Sequence, residues 1–190
     1  MLKTAIRKEY KGLRAQLSHS DILKKTDLLL IQFQKLGFEN IHTILSYQPI
    51  SQQNEIDVEN LVRYLQMQFP ELNVCYPKSN FSDNSMEAIL EEEESEFQLN
   101  DYFIPEITTG KIIAPEEIDL IFVPLLAFDT EGFRVGYGKG FYDRFIQKCR
   151  EDVLKIGVSF FAPVDQIDDR NSNDIPLDFC ITPEDIYAFQ

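Results

Sequence analysis

Histidine and cysteine are scarce in this chain of 190 residues: only His19 and His42, and only Cys75, Cys149 and Cys180. The thiols are odd in number and lack both CxxC spacing and a neighbouring histidine pair, so a disulfide scaffold, a zinc site and a cysteine–histidine nucleophile all fit poorly. Small buried thiols in a reducing compartment are the expectation. Long apolar runs are missing too. The best stretch, Ile118 to Phe128, is interrupted by Asp119 and Pro124 and is too short to cross a bilayer. Lys3, Arg7 and Lys8 are not followed by the apolar segment of a signal peptide, so a cytoplasmic location is expected. Positive charge is also in short supply, with 18 Lys plus Arg against 32 Asp plus Glu and a net charge of −14. This balance argues against a grip on nucleic-acid phosphates or on anionic membranes. An anionic ligand would have to be met by a local cluster of cations.

What is present is enough apolar side chain, 44% of residues, for one sizeable core. A single domain over residues 1–190 is expected. Residues 2–17 read as a helix, because Leu2, Ile6, Tyr10, Leu13 and Leu17 fall in one stripe, with Lys3, Arg7, Lys11 and Arg14 beside it. That basic row is either a solvated face or a set of cations aimed into a cleft. A second helix is expected from Asp21, as N-cap, to the stop at Gly37. Ile41 to Tyr47 then reads as a strand, Val58 to Phe69 as a helix, and Leu72 to Tyr76 as a strand ending at Pro77, which is βαβ alternation. Met86 to Leu90 suggests a short strand. Glu91 to Glu94 with Glu96 reads as a solvated turn and Phe97 to Ala114 as an irregular excursion, neither with assigned chemistry. The run Leu120 to Val123 has the unbroken apolar character of a strand covered on both faces. A helix from about Phe141 to Cys149 and strands at Leu154 to Phe160 and Asp178 to Thr182 follow. The fold class expected is α/β, a three-layer α/β/α arrangement with a mostly parallel central sheet, Rossmann-like.

Between that buried strand and the next helix lies Gly132-Phe133-Arg134-Val135-Gly136-Tyr137-Gly138-Lys139-Gly140-Phe141-Tyr142-Asp143-Arg144. Alternating glycines let the backbone take positive φ and turn successive N–H groups toward phosphate oxygens, with a helix N-terminus behind them. Arg134, Lys139 and Arg144 concentrate positive charge there in an acidic protein. The run is neither GxGxxG nor a P-loop, because Lys139 is followed by Gly140. An ordinary tight turn is the alternative. Asp129 reads as a turn former.

The run Val123 to Asp129 together with Gly132 to Arg144 resembles the signature of the 5-formyltetrahydrofolate cyclo-ligase family, also called 5,10-methenyltetrahydrofolate synthetases. Lys3, Arg7 and Arg14 resemble the family's opening basic helix, Glu55-Ile56-Asp57 its folate-side segment, and Asn173-Asp174 with Leu177-Asp178 its closing motif. Val135, Phe141 and Asn173 stand where leucine, tyrosine and histidine are commoner.

The resemblance implies an ATP-dependent cyclisation of 5-formyltetrahydrofolate to 5,10-methenyltetrahydrofolate, with ADP and phosphate released. It implies ATP contacts from Lys3, Arg7, Arg134, Val135, Gly136, Tyr137, Gly138, Lys139, Gly140, Phe141 and Tyr142, with Lys139 and Arg134 carrying the phosphoryl chemistry. Folate would meet Glu55, Tyr47 and the Tyr137, Gly138, Lys139, Gly140 and Phe141 stretch. Asp143 and Asp174 would hold Mg²⁺. The partners implied are small molecules, without nucleic acid or membrane, and a monomer is expected. Two other readings stay open on the residues alone: a phosphosugar isomerase-like enzyme, and a non-catalytic nucleotide- or folate-binding module.

Overall fold

Helix-forming and strand-forming segments alternate through the computed structural model, which describes residues 1–189. The helices are α1 (Lys3–Ala15), α2 (His19–Phe33), α3 (Glu59–Gln68) and α4 (Phe141–Ile146). The strands are β1 (Thr43–Leu45), β2 (Asn73–Asn80), β3 (Ser85–Leu90), β4 (Phe97–Leu99), β5 (Pro105–Ile107), β6 (Ile112–Ile113), β7 (Leu120–Val123), β8 (Ala127–Phe128), β9 (Arg134–Val135), β10 (Leu154–Val158), β11 (Phe179–Ile181) and β12 (Ile186–Ala188). Among the described residues the main sheet has the order β12-β11-β10-β7-β1-β2-β3-β6. Its five middle strands, β11 to β2, are parallel, and β12, β3 and β6 are antiparallel additions at the edges.

β7 explains the layering. Leu120, Ile121, Phe122 and Val123 are all fully buried, because the sheet is covered on both sides. Leu120 and Phe122 pack with Leu29 and Phe33 of α2 and with Leu61 and Leu65 of α3. Ile121 and Val123 face the other way, among Phe145 and Ile146 of α4. This alternation is the period of two that a pleated strand imposes. The α/β class with a mostly parallel sheet therefore stands.

Several local expectations are corrected. The N-cap of α2 is Ser18, which forms a capping box with Asp21 at the third helical position. β2 runs through Pro77 instead of ending there. It pairs with β1 only over Asn73 to Cys75, so the missing N–H of Pro77 interrupts no bond on that side. The Phe97 to Ala114 segment is not merely irregular: it supplies the hairpin of β4 and β5 and the edge strand β6, with Ile107 and Ile113 buried. β12 follows β11 and was not anticipated. Asp129 does form its turn, accepting from the N–H groups of Glu131 and Phe133. It is also fully buried and accepts from Ile167 N–H at 3.1 Å.

α1 is held off the sheet, at the mouth of the carboxyl ends of the strands. Ile6 and Tyr10 pack on Leu126, Ala127 and Val135 of the β8–β9 hairpin. The loop after β10 grips the start of the helix, where Asp169 Oδ1 accepts from Lys3 N–H at 2.7 Å and Asp168 pairs with the terminal ammonium at 2.9 Å. No helix among the described residues is long and apolar enough to cross a membrane.

Candidate active site

β1 and β7 are adjacent parallel strands, and their carboxyl ends open onto a cleft of about 1120 Å³. This is where an open α/β sheet leaves room for a ligand. Every site residue expected from the sequence lines this cleft except Val135. Val135 pairs with Ala127 in the β8–β9 hairpin and is fully buried against α1, so it supports the loop from below and cannot contribute its side chain to a ligand.

One wall is cationic and is built from α1, the glycine loop and the Asn171 to Asp174 turn. Arg7 lies along the loop, its Nε donating to the Gly136 carbonyl at 2.9 Å. Gly138, at φ +98°, is what allows this approach: a Cβ there would sit 3.3 Å from the Arg7 guanidinium carbon. Lys3 Nζ pairs with Asp174, whose same oxygen accepts from Asn171 N–H at 2.7 Å. Arg134 is not an exposed loop cation. Its side chain is only 6% exposed, and it donates to Asp143 at 2.9 Å and to the Ile175 carbonyl at 2.6 Å. Asp143 in turn accepts from Ile175 N–H at 3.1 Å. Asp143 and Asp174 are thus fastened to one strip of backbone, Asp174-Ile175. Lys139 is exposed and, among the described residues, has no ion-pair partner.

The opposite wall is buried and under-satisfied. Glu55, only 7% exposed, accepts from Ile50 N–H at 2.8 Å through Oε2, while Oε1 has no hydrogen-bond partner. The Tyr142 hydroxyl and Gln53 Oε1 are likewise buried without partners. Orphaned polar atoms at a cleft surface mark positions that a polar ligand can satisfy. Burial raises the Glu55 carboxyl above its ordinary value of 4.5, opposed by the Ile50 N–H, the Arg14 guanidinium and the nearby Tyr137 hydroxyl. Burial, with the Glu55 charge, also raises Tyr137, Tyr142 and Tyr47, so all three remain neutral hydroxyls. The outer rim is aromatic: Phe81 stacks on Tyr102 at 4.0 Å and meets Phe141 edge-on at 5.1 Å.

The sequence and the fold that build this cleft are similar to those of known proteins. The profile of the 5-formyltetrahydrofolate cyclo-ligase family matches residues 1–183. The chain belongs to this family. It is 29% identical to a 5-formyltetrahydrofolate cyclo-ligase of Mycoplasma pneumoniae over 97% of this chain and 100% of that one. It is 29% identical to the Mus musculus protein of that name over 77% and 74% of the two chains. The NMR structure of a 5,10-methenyltetrahydrofolate synthetase from Aquifex aeolicus superposes with a TM-score of 0.80, at 28% identity, covering 100% of this chain and 94% of that one. The chain is accordingly an enzyme with 5-formyltetrahydrofolate cyclo-ligase activity.

Sequence reasoning missed several residues in and behind the cleft, Gln53 and Phe81 of its lining among them. Arg14 was left in the basic row of α1 but is buried. Its signal was its place next to the apolar stripe, where a long side chain can turn inward. Asp169 steadies Lys3 through its backbone, and Tyr102 with Ile104 closes the rim from the segment given no chemistry. Nothing local in the sequence announces either.

Proposed function

We propose that the cleft carries out the ATP-dependent form of this cyclisation, with ATP along the cationic wall and the folate against Glu55. The observation that carries the reading is the opposition of the two walls across one cleft. Lys3, Arg7 and Lys139 offer charge-assisted donors to a triphosphate, and the Gly136 to Gly140 backbone can approach it closely. Glu55 Oε1 and the orphaned Tyr142 hydroxyl suit the amide and amino donors and the polar edge of a pterin. The formyl oxygen attacks the γ-phosphorus, ADP leaves, and the formyl carbon becomes an O-phosphorylated iminium centre. N10 then bonds to that carbon and gives up its proton, and the C–O bond breaks to release phosphate and leave 5,10-methenyltetrahydrofolate. Neither step needs a protein nucleophile; both need orientation and charge neutralisation. Lys139, without an ion-pair partner among the described residues, follows the transferring phosphoryl group, while Arg134 holds the loop and Asp143 in place.

Mg²⁺ fits the donors present. Asp143 uses only Oδ1 and Asp174 only Oδ2 in hydrogen bonds, so each keeps one hard oxygen without a protein donor. Among the described residues no three acidic, histidine or cysteine side chains gather into a ready-made cage. That matches a cation taking one or two carboxylates and otherwise phosphate oxygens and water. Asp143 and Asp174 would hold it, and it would supply charge neutralisation for the triphosphate. The reading keeps a cytoplasmic monomer acting on small molecules, and sedimentation checks the monomer.

Release of inorganic phosphate, measured with each component omitted in turn, tests the proposal. Release is expected only when MgATP and 5-formyltetrahydrofolate are present together. Equal release from ATP alone, or turnover of the folate without ATP, overturns it.

A further inference from the structure

Arg14 has the environment of a residue with a task in the buried wall. It leaves the last turn of α1 and runs inward to 2% exposure. One guanidinium nitrogen donates to the Leu125 carbonyl, another reaches the Tyr137 hydroxyl at 3.4 Å, and Nε has no partner. A buried cation is costly unless an opposite charge lies nearby. No carboxylate closes an ion pair on Arg14 among the described residues. The opposing charge is Glu55, itself buried, which acts on the same Tyr137 hydroxyl that Arg14 reaches. The backbone ties the two segments together. Asn54, in the left-handed region at φ 46°, ends the Ser51–Gln53 turn and donates Nδ2 to the Arg14 carbonyl at 2.9 Å.

We propose that Arg14 is a positioning residue for the folate, supplying the internal counter-charge that leaves Glu55 Oε1 available to the pterin's N–H donors while making no contact with ATP. The inference rests on the folate reading of Glu55 given above. The groups facing Glu55 are Arg14 from α1, Tyr47 from beyond β1, Tyr137 from the glycine loop and Tyr142 from α4. Arg14 is the only cation among them. Its removal therefore drives the carboxylate toward the protonated form, which donates where an acceptor is needed.

The test compares wild type with Arg14→Met, Arg14→Lys, Glu55→Gln and the double variant Arg14→Met/Glu55→Gln. Calorimetric binding of 5-formyltetrahydrofolate and ATP binding are measured on each, and a ¹³C titration of the Glu55 carboxyl on wild type, Arg14→Met and Arg14→Lys. Arg14→Met is expected to weaken folate binding roughly 10-fold or more, increasingly so from pH 8 to pH 6, with ATP binding changed less than about 2-fold. Arg14→Lys should restore most of the loss, and the double variant should bind folate no worse than Glu55→Gln alone. If Arg14→Met does not fold, recovery of folding in the double variant, where no lone buried charge remains, supports the same coupling. Additive losses in the double variant, equal losses for ATP and folate, or a Glu55 titration unmoved by Arg14→Met overturns the proposal. If wild type binds no 5-formyltetrahydrofolate, the folate reading fails, while the Glu55 titration still decides whether Arg14 governs that carboxylate.

Discussion

The two walls of the cleft solve the problem of charge in opposite ways. On the cationic wall the partners are already paired: Lys3 with Asp174, and Arg134 with Asp143, both fastened to the Asp174-Ile175 backbone. Lys139 and Arg7 are left without a carboxylate partner among the described residues. On the buried wall the charges are few and the hydrogen bonds incomplete, with Glu55, Gln53, Tyr142 and Arg14 each keeping an atom without a partner. A mobile polyanion can be met by a prebuilt lattice of cations and carboxylates, because water and a metal complete its shell. A flat heteroaromatic edge must complete the shell of the protein itself.

The comparison breaks first at Arg134. Its near-complete burial means that Arg134→Ala leaves the Ile175 carbonyl without its donor and Asp143 without its counter-charge, so a stability loss of about 2–4 kcal/mol is expected alongside impaired ATP use. Chemical denaturation measures this, and unchanged stability would mean that the paired lattice is not structural. Glu55→Gln should then raise KM for the folate roughly 10- to 100-fold while leaving KM for ATP within about 2-fold, since a charged acceptor of two N–H donors is lost. The same residue sets a pH trend. Its acceptor form exists above its pKa, which burial holds above 4.5, so in wild type KM for the folate should rise as pH falls toward that value, and this rise should vanish in Glu55→Gln.

Lys139→Ala sharpens the contrast from the other side. With no ion pair to lose, it should raise KM for ATP or lower kcat about 10-fold and shift Tm by no more than ~1–2 °C, as for an exposed charge. Early melting with normal ATP kinetics would make the loop structural. Lys3→Gln and Arg7→Gln, which spare the apolar stripe of α1, should give smaller losses in ATP use in folded protein. Smallest in catalysis at saturating metal are Asp143→Asn and Asp174→Asn, expected to raise the Mg²⁺ concentration for half-maximal rate several-fold. A metal titration indistinguishable from wild type in both would remove them as ligands.

What the sequence disclosed follows this same division. The cationic wall was legible because most of it is contiguous: strand, glycine loop and helix start occupy Leu120 to Ile146, and β7 betrays its double burial in four consecutive apolar residues. The buried wall was legible at Glu55, Tyr47, Tyr137 and Tyr142, and only through resemblance. Arg14 joins it by turning inward from a helix that otherwise shows a basic solvent-side row, and Tyr102 arrives on a hairpin with no periodic signal. Asp129 and Asp174 show the limit plainly. Both are loop aspartates in sequence, yet one is sealed in the fold by three backbone N–H groups and the other lines the cleft beside Lys3. Only the partners that tertiary folding brings up distinguish them.

The central claim is that ATP on one wall phosphorylates the formyl oxygen of a folate held on the other. Turnover of 5-formyltetrahydrofolate carrying ¹⁸O in its formyl group, with the released phosphate read by mass spectrometry, tests it directly. The account predicts one ¹⁸O atom per phosphate, equal in amount to the 5,10-methenyltetrahydrofolate formed. Unlabelled phosphate, with the ¹⁸O found in water, would contradict it.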